Sequence, residues 1–342
     1  MDSSPVSSAI RKLAFGEALT EEQSVAAFTT IMQGESTPVQ VSSLLTALRV
    51  KGETPAEVAG AARALRGAML TVPSSDPDSL VDTCGTGGGA VTTFNISTAA
   101  GLLAAGIGVR VAKHGNRSFT SQSGSADVLE ALGVPLDAPV DRLAHVLERS
   151  GVVFMFAPTM HPAMRHVGPV RRELGIPTVM NIVGPLANPA HAGRQVVGVA
   201  DRGRLMLLAG ALATLGSRHA LVVYGDPGLD EMSPLGISHI AEVRHGNIKE
   251  WQVDPSEFGL HCKSSDDIRG GTPAENAALI LDLLSGGGSD GARSAVILNA
   301  AAALYVAERC PTYAACVEVA RIALATGIGR EALERMLAAY RD

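Results

Sequence analysis

The stretch from Asp82 to Gly133 constrains the possible fold of this chain more than any other part of the sequence. An apolar run ends at Cys84 and is followed by residues 85–89, four of which are glycine; we call this segment the glycine loop. A helical pattern begins near Asn95, and a second apolar run at 109–112 leads into a polar segment, 113–118, which we call the lysine loop. The pattern predicts two successive strand–loop–helix units.

Both loops have the composition of anion-binding segments. Glycine lets backbone N–H groups approach an anion closely, and the start of a helix adds unpaired N–H groups and a positive potential. Two such loops side by side predict a ligand with two separated phosphate groups.

Apolar runs at 80–84, 109–112, 152–157, 195–200 and 219–224 alternate with helical patterns. This alternation predicts a largely parallel sheet that is covered by helices on both faces. Residues 237–245 and 248–254 alternate in polarity around Gly246 and Asn247, which predicts an antiparallel hairpin at or near a sheet edge. Two alanine-rich helices are expected at about 273–285 and 290–308, followed by two shorter ones.

The first 70 or so residues predict a small helical bundle. Thr20, Pro38 and Pro55 stand where helices begin, and residues 71–79 have the Pro, Ser and Asp content of a linker. We therefore expect an α/β protein: a small N-terminal helical domain, 1–72, plus a larger α/β domain with a mostly parallel central sheet flanked by helices. The stretch 162–176 is also predicted to be helical.

Charge and composition exclude several classes of function. A formal net charge of −6 with no basic run argues against a nucleic-acid scaffold. Four scattered cysteines without metal-ligand spacing favour buried thiols in a reducing compartment. No stretch of apolar residues is long enough to span a membrane, so we expect a cytoplasmic protein without a membrane partner.

Five ordered motifs resemble one enzyme family. The motifs are GTGG, NIST, KHGNRS, the stretch 156–189 (FAPTMHPAMRHVGPVRRELGIPTVMNIVGPLANP) and GLDEMSPLG at 228–236, and all are similar to anthranilate phosphoribosyltransferases. The resemblance implies transfer of phosphoribosyl from phosphoribosyl pyrophosphate (PRPP) to anthranilate, the second step of tryptophan biosynthesis from chorismate. It also implies a homodimer formed through the helical domain. In that family a segment at about 162–180 joins the N-terminal helices, leaving 73–161 and 181–342 as the α/β domain.

The resemblance also assigns site residues. It implies that PRPP is bound by Gly85, Gly88, Gly89, Thr93, Asn95, Ile96, Ser97, Thr98, Lys113, His114, Gly115, Asn116, Arg117, Ser118, Ser121 and Ser125. It implies that anthranilate is bound by Gly85, Asn116, His161 and Arg171. It also implies that two Mg²⁺ ions are bound by Ser97 and by Asp230 and Glu231, which we call the acidic pair. No residue is expected to act as a general acid or base, and Lys113, Asn116 and Arg171 are expected to stabilise charge and orient the substrates.

Each motif has a simpler alternative. The glycine loop could be a tight turn, Asn95, Ser97 and Thr98 could be helix caps, and Lys113 and the acidic pair could be solvated surface residues. His161 could be structural, and Arg171 could be one of several solvated arginines. Gly89 departs from the family, which usually has Asp there, so a ribose hydroxyl contact is in doubt at this position.

Two other functions compete with this interpretation. A pyrimidine nucleoside phosphorylase shares the expected architecture and a similar lysine loop, but Asn116 and the adjacent acidic pair favour the phosphoribosyltransferase. A non-catalytic relative that binds nucleic acid would be expected to lack intact loops and to carry basic patches, neither of which the sequence has.

Overall fold

The computed structural model describes residues 4–118 and 122–342. Its N-terminal bundle consists of α1 (Pro5–Ala14), α2 (Glu21–Met32), α3 (Pro38–Lys51) and α4 (Pro55–Gly67). Thr20, Thr37 and Thr54 each precede a helix and form a capping box with the residue three positions on. The predicted helix starts at Pro38 and Pro55 are confirmed.

The remaining chain forms an α/β domain. In chain order its elements are β1 (Val81–Gly85), α5 (Ile96–Gly106), β2 (Val111–Gly115), α6 (Ser125–Ala131), α7 (Val140–Ser150), β3 (Val152–Phe156), α8 (Ala157–Met160), α9 (Gly168–Leu174), β4 (Arg194–Gly198), α10 (Leu205–Thr214), β5 (His219–Gly225), β6 (Ser238–Arg244), β7 (Asn247–Val253), α11 (Pro273–Leu284), α12 (Asp290–Val306), α13 (Tyr313–Leu324) and α14 (Ile328–Arg341).

The strands form one sheet in the order β3-β2-β1-β4-β5-β6-β7. The first five strands in this order are mutually parallel and the last two pair antiparallel, which confirms the predicted fold class. Helix α5 contacts β1 and β2, and α12 contacts β1, β4 and β5, whereas α10 contacts β5, β6 and α4. The N-terminal bundle therefore packs against the sheet domain through α10.

The β6–β7 turn lies one residue earlier than expected. Arg244 pairs with Asn247, so the two turn residues are His245 and Gly246, with φ of 48° and 80°. A two-residue hairpin turn of this kind needs positive φ at both positions, and glycine adopts it without strain. Gly246 therefore takes the second turn position, and Asn247 begins β7.

The stretch 162–176 is helical but broken. A 3₁₀ segment, Pro162–His166, precedes α9, and the break falls before Gly168 and Pro169. Proline lacks an N–H and suits the first turn of a new helix. Ala163, Val167 and Val170 are buried in the same apolar cluster as residues of α2 and α3. No helix in the described ranges is both long and apolar enough to cross a bilayer.

Strands β1 and β2 separate towards their carboxyl ends. They share one pair in register, Val81 with Val111, whereas β1 and β4 share five pairs and so do β2 and β3. The glycine loop and the lysine loop extend from the two sides of this split. Open α/β sheets bind ligands beyond the carboxyl ends of their strands, which is where both loops lie.

Candidate functional site

The glycine loop is fixed at three points. Thr86 N–H donates to Gly198 O at 2.9 Å, Ala90 N–H to Gly228 O at 2.9 Å, and Gly87 N–H to Asp230 Oδ2 at 2.8 Å. Gly87 and Gly88 have φ of 72° and 80°, which side chains rarely adopt. Within the described part of the chain, the N–H groups of Gly88 and Gly89 have no partner. The loop therefore has fixed ends and free donors between them.

Asp230 of the acidic pair packs directly on two strand-end glycines. A Cβ at Gly85 would lie 2.2 Å from Asp230 Oδ2, and one at Gly198 would lie 1.7 Å from the Asp230 carbonyl oxygen. Both glycines are thus required for close approach of the turn between β5 and β6. Behind the pair, the Asn299 amide accepts from Met232 N–H at 2.9 Å and donates to Met232 O at 2.9 Å. This turn is therefore held from both sides.

No ion pair in the described chain neutralises the two carboxylates, although the charge of Lys113 acts on Glu231. Neither Asp230 nor Glu231 forms an ion pair with any described residue. Low hydration raises the pKa of Asp230, and the same effect followed by the charge of Asp230 raises the pKa of Glu231 to about 8. Two acidic groups in a poorly hydrated recess fit a bound divalent cation, which favours oxygen ligands. No group of three or more His, Cys, Asp or Glu residues in the described chain could hold a metal alone, so the remaining ligands would come from elsewhere.

The start of α5 lies between the acidic pair and Lys113. Ser97 N–H donates to Glu231 Oε1 at 3.1 Å, and the Lys113 ammonium donates to Ser97 Oγ at 3.2 Å and to Thr83 O. Lys113 is only 5% exposed. The structure thus brings Ser97, Lys113 and Glu231 together, and the solvated-surface alternative for Lys113 is wrong.

The side chains of Asn95 and Thr98 do not cap α5, contrary to the helix-cap alternative. Asn95 precedes α5, but its side chain makes no cap bond. Its amide donates to Ser123 O at 3.0 Å and accepts from Asn276 Nδ2 at 2.9 Å, so it joins the loop to α11. Thr98 is 1% exposed within α5, and its hydroxyl has no partner in the described chain. Ile96 is fully buried. Thr93, two residues before Asn95, pairs with Arg269 through antiparallel backbone hydrogen bonding.

The lysine loop is stabilised by α6. Arg117 forms ion pairs with Asp127 and Glu130, and Ser118 N–H donates to Asp127 Oδ2 at 3.1 Å. Ser125 Oγ donates to Asn116 O, and a Cβ at Gly115 would lie 2.1 Å from Ser125 Oγ. The Arg117 guanidinium is thus already paired with protein carboxylates. Ser121 lies outside the described residues.

Two histidines and an arginine lie on the side of α8 and α9. His114 Nε2 and His161 Nε2 are 3.2 Å apart. Burial lowers the pKa of His114 to about 3 and that of His161 to about 4, so both rings are neutral at pH 7. Arg171 is half-buried, which lowers the pKa of its guanidinium, and its side chain has no partner in the described chain. An unpaired, poorly hydrated guanidinium is suited to binding a carboxylate.

Four residues next to the site were not singled out from the sequence: Asp82, Asn188, Gly198 and Asn299. Asp82 is fully buried and accepts from His114 N–H at 3.1 Å and from Asn188 Nδ2 at 2.8 Å. The available signal was a lone acid inside an apolar run, since a buried carboxylate needs partners. Nothing local marks Asn188, Gly198 or Asn299, because their partners lie far away in the sequence.

Nearly the whole chain is similar to known proteins. The model of the glycosyl transferase family helical bundle domain matches residues 7–69, and that of the a/b domain matches residues 77–330. An anthranilate phosphoribosyltransferase from Rubrobacter xylanophilus is 46% identical over 96% of each chain.

Solved structures agree with this similarity. The crystal structure of anthranilate phosphoribosyltransferase from Thermus thermophilus is 44% identical, has a TM-score of 0.92, and is matched over 98% of this chain and 99% of that one. The Saccharomyces cerevisiae enzyme in complex with PRPP and Mg is 28% identical, with a TM-score of 0.87 and 98% of both chains covered. From the near-complete coverage at these identities, we conclude that the chain belongs to the anthranilate phosphoribosyltransferase family.

Proposed function

We propose that this protein transfers the phosphoribosyl group of PRPP to anthranilate, giving N-(5-phosphoribosyl)anthranilate and pyrophosphate in tryptophan biosynthesis. The bond from C1 of the sugar to pyrophosphate oxygen breaks, a C1–N bond to anthranilate forms, and the amine loses one proton. The contact of Gly87 N–H with Asp230 Oδ2 at 2.8 Å is the observation that carries the proposal. It joins the anion-binding loop to the acidic pair in one site.

The donor side is supported by the charges around the split between β1 and β2. Backbone N–H groups of the glycine loop and the Lys113 ammonium supply positive potential for the phosphates. We propose that PRPP is bound by the residues within 85–98 and 113–125 that the family resemblance assigns to it. Arg117 is the weakest of these, because its guanidinium is paired with Asp127 and Glu130.

Ser97, Asp230 and Glu231 are the residues that we propose hold two Mg²⁺ ions. The fit rests on the two carboxylates, which form no ion pair in the described chain, and on Ser97, whose N–H donates to Glu231. When bound, the ions neutralise the charge that builds up on the departing pyrophosphate.

The acceptor side requires orientation more than proton transfer. The amine of anthranilate is neutral at pH 7, so no strong general base is needed. His114 and His161 are neutral at pH 7, so they add no charge to this side of the site. Arg171 and Asn116 would orient the acceptor through its carboxylate and amine. Holding the amine at attack distance from C1 then lowers the barrier.

We further propose two domains, a homodimer and a cytoplasmic location. Residues 1–72 and about 162–180 form the helical domain, and 73–161 with 181–342 form the α/β domain. The contacts of α9 with α3 and of Pro162–His166 with α2 support this division. Phe15 and Val50 in the helical bundle are 84% and 81% exposed, which supports a dimer contact there. The four free cysteines are consistent with a reducing compartment.

The test follows the fluorescence of anthranilate with PRPP and Mg²⁺. Wild-type protein should consume anthranilate, excess chelator should stop the reaction, and thymidine or uridine with phosphate should not be cleaved. The variant Asp230→Asn/Glu231→Gln keeps an acceptor for Gly87 N–H but removes both charges, so it should fold and lose nearly all turnover. Full activity of this variant in Mg²⁺ would refute the metal assignment, and phosphorolysis of uridine by the wild type would favour the phosphorylase.

A further inference from the structure

The split between β1 and β2 is spanned by side chains instead of backbone hydrogen bonds. After the pair Val81–Val111 the two strands share no further pair, although each continues for four residues. Asp82 Oδ1 accepts from His114 N–H at 3.1 Å, and Asp82 Oδ2 accepts from Asn188 Nδ2 at 2.8 Å. The same Asn188 nitrogen donates to Ala112 O at 2.8 Å.

Asn188 uses its whole amide in this arrangement. Its Oδ1 accepts from Ala190 N–H at 2.9 Å and from Ala192 N–H at 3.4 Å, so the group is fixed in orientation. Asp82 is 0% exposed and Asn188 is 2% exposed. A parallel ladder would satisfy the same backbone groups without burying a charge, and burial of a charge is costly. The carboxylate therefore has a function other than simple pairing of two strands.

We propose that Asp82 and Asn188 are positioning residues that set the separation of the glycine loop from the lysine loop. This inference rests on the proposed function, in which the two loops bind the two phosphate-bearing ends of PRPP. Asp82 lies three residues before Gly85 and bonds to the backbone of His114 beside Lys113, so it links the bases of both loops. Lys113 adds a third link across the split through its bond to Thr83 O.

The test uses the near-isosteric change Asp82→Asn. An amide at position 82 has one acceptor and one donor, whereas its surroundings offer two donors, His114 N–H and Asn188 Nδ2. One donor then faces another donor in either orientation, so the loops lose their fixed separation. We expect the KM for PRPP to rise about tenfold or more, with a smaller change in the KM for anthranilate. Adding Asn188→Asp restores a donor–acceptor contact between positions 82 and 188 and should recover part of the loss.

Gln195→Met is the matched control. Gln195 lies on β4, in register with Asp82 on the neighbouring β1. It is 1% exposed, and its side-chain amide donates to Pro185 O at 2.8 Å. Its replacement removes a buried polar group next to Asp82 without affecting the split. We expect a lowered melting temperature in both variants but near wild-type KM values only in Gln195→Met. Equal kinetic changes in the two variants, or unchanged kinetics in Asp82→Asn, would overturn the proposal.

Two further measurements keep the result interpretable. If Asp82→Asn does not fold, Asn188→Ala tests the same link, because it retains the bond from His114 N–H to Asp82. Calorimetry of pyrophosphate binding with Mg²⁺ separates this inference from the proposed function, since it needs no turnover. Weaker binding by Asp82→Asn than by Gln195→Met supports the positioning role even if the wild type does not consume anthranilate, and equal binding refutes it.

Discussion

Gly89 differs from the other glycines around the acidic pair in the space available for a side chain. A Cβ there would lie 3.0 Å from Gly228 O and 3.5 Å from Asp230 Oδ1, compared with 2.2 Å and 1.7 Å for the nearest atoms at Gly85 and Gly198. The φ of Gly89 is not in the positive range that excludes side chains. This position therefore tolerates a side chain if the Gly228 carbonyl moves slightly, whereas Gly85 and Gly198 do not.

Gly89→Ala and Gly89→Asp separate the effect of a Cβ from that of a carboxylate. We expect both variants to fold, and Gly89→Ala to bind PRPP somewhat more weakly because its methyl group presses on the Gly228 carbonyl. Gly89→Asp should bind PRPP at least as tightly as Gly89→Ala and preserve or improve on the wild type, because a carboxylate can accept ribose hydroxyl hydrogen bonds. Calorimetric titration with PRPP and Mg²⁺ measures the difference. A folded Gly89→Asp protein without activity would show that glycine itself is needed at this position.

At the scale of secondary-structure elements, local pattern predicted most of the strands and helices but not their connections. Apolar runs located β1 to β5 within about three residues, and Thr20, Pro38 and Pro55 marked helix starts, because these signals act through neighbouring residues. The central position of β1 and its separation from β2 depend on partners distant in sequence. The bond from Asn188 to Asp82 spans 106 residues, and no local pattern encodes such a contact.

Another long-range contact joins β4, β6 and the end of α12. Glu308 forms ion pairs at 2.7 Å with Arg194 on β4 and with Arg244 on β6. The bond from Arg194, followed by its charge and that of Arg244, outweighs desolvation and lowers the pKa of Glu308 to about 2. Its folded-state pKa lies below the ordinary value of 4.5, so its stabilising effect is present above pH 4.5 and is lost as the pH falls towards 2.

We therefore expect Glu308→Gln to lower the free energy of unfolding at pH 7 by about 1 kcal/mol, a value reduced for solvent screening because Glu308 is partly exposed. The difference from wild type should shrink below pH 4.5 and be mostly lost by about pH 2. Urea unfolding at several pH values measures it. Glu250→Gln, at an exposed carboxylate on β7 without an ion pair in the described chain, is the control. A difference between Glu308→Gln and wild type that stays constant with pH would contradict the assignment.

At the scale of the whole molecule, the two sides of the site come from different parts of the chain. The glycine loop, the lysine loop and the acidic pair extend from the sheet, whereas Arg171 lies on α9, which contacts α3 of the N-terminal bundle. The helical content of 162–176 was visible in the sequence, but its contact with the bundle was implied only by family resemblance. Periodicity reports the local helix and not its packing partner.

This division predicts that donor and acceptor binding can be changed separately. If the Arg171 guanidinium pairs with the anthranilate carboxylate, Arg171→Ala should raise the KM for anthranilate about ten- to a hundredfold, because a charge-assisted hydrogen bond contributes roughly 1.5–3 kcal/mol. The KM for PRPP should change by no more than about twofold, since the donor loops are built on separate elements. Arg172→Ala, at the exposed next position on α9, is the matched control and should leave both constants near wild type. Steady-state kinetics with each substrate varied in turn distinguishes the outcomes. A similar rise in both KM values for Arg171→Ala, together with a lowered melting temperature, would instead identify Arg171 as a residue that stabilises α9 against the bundle.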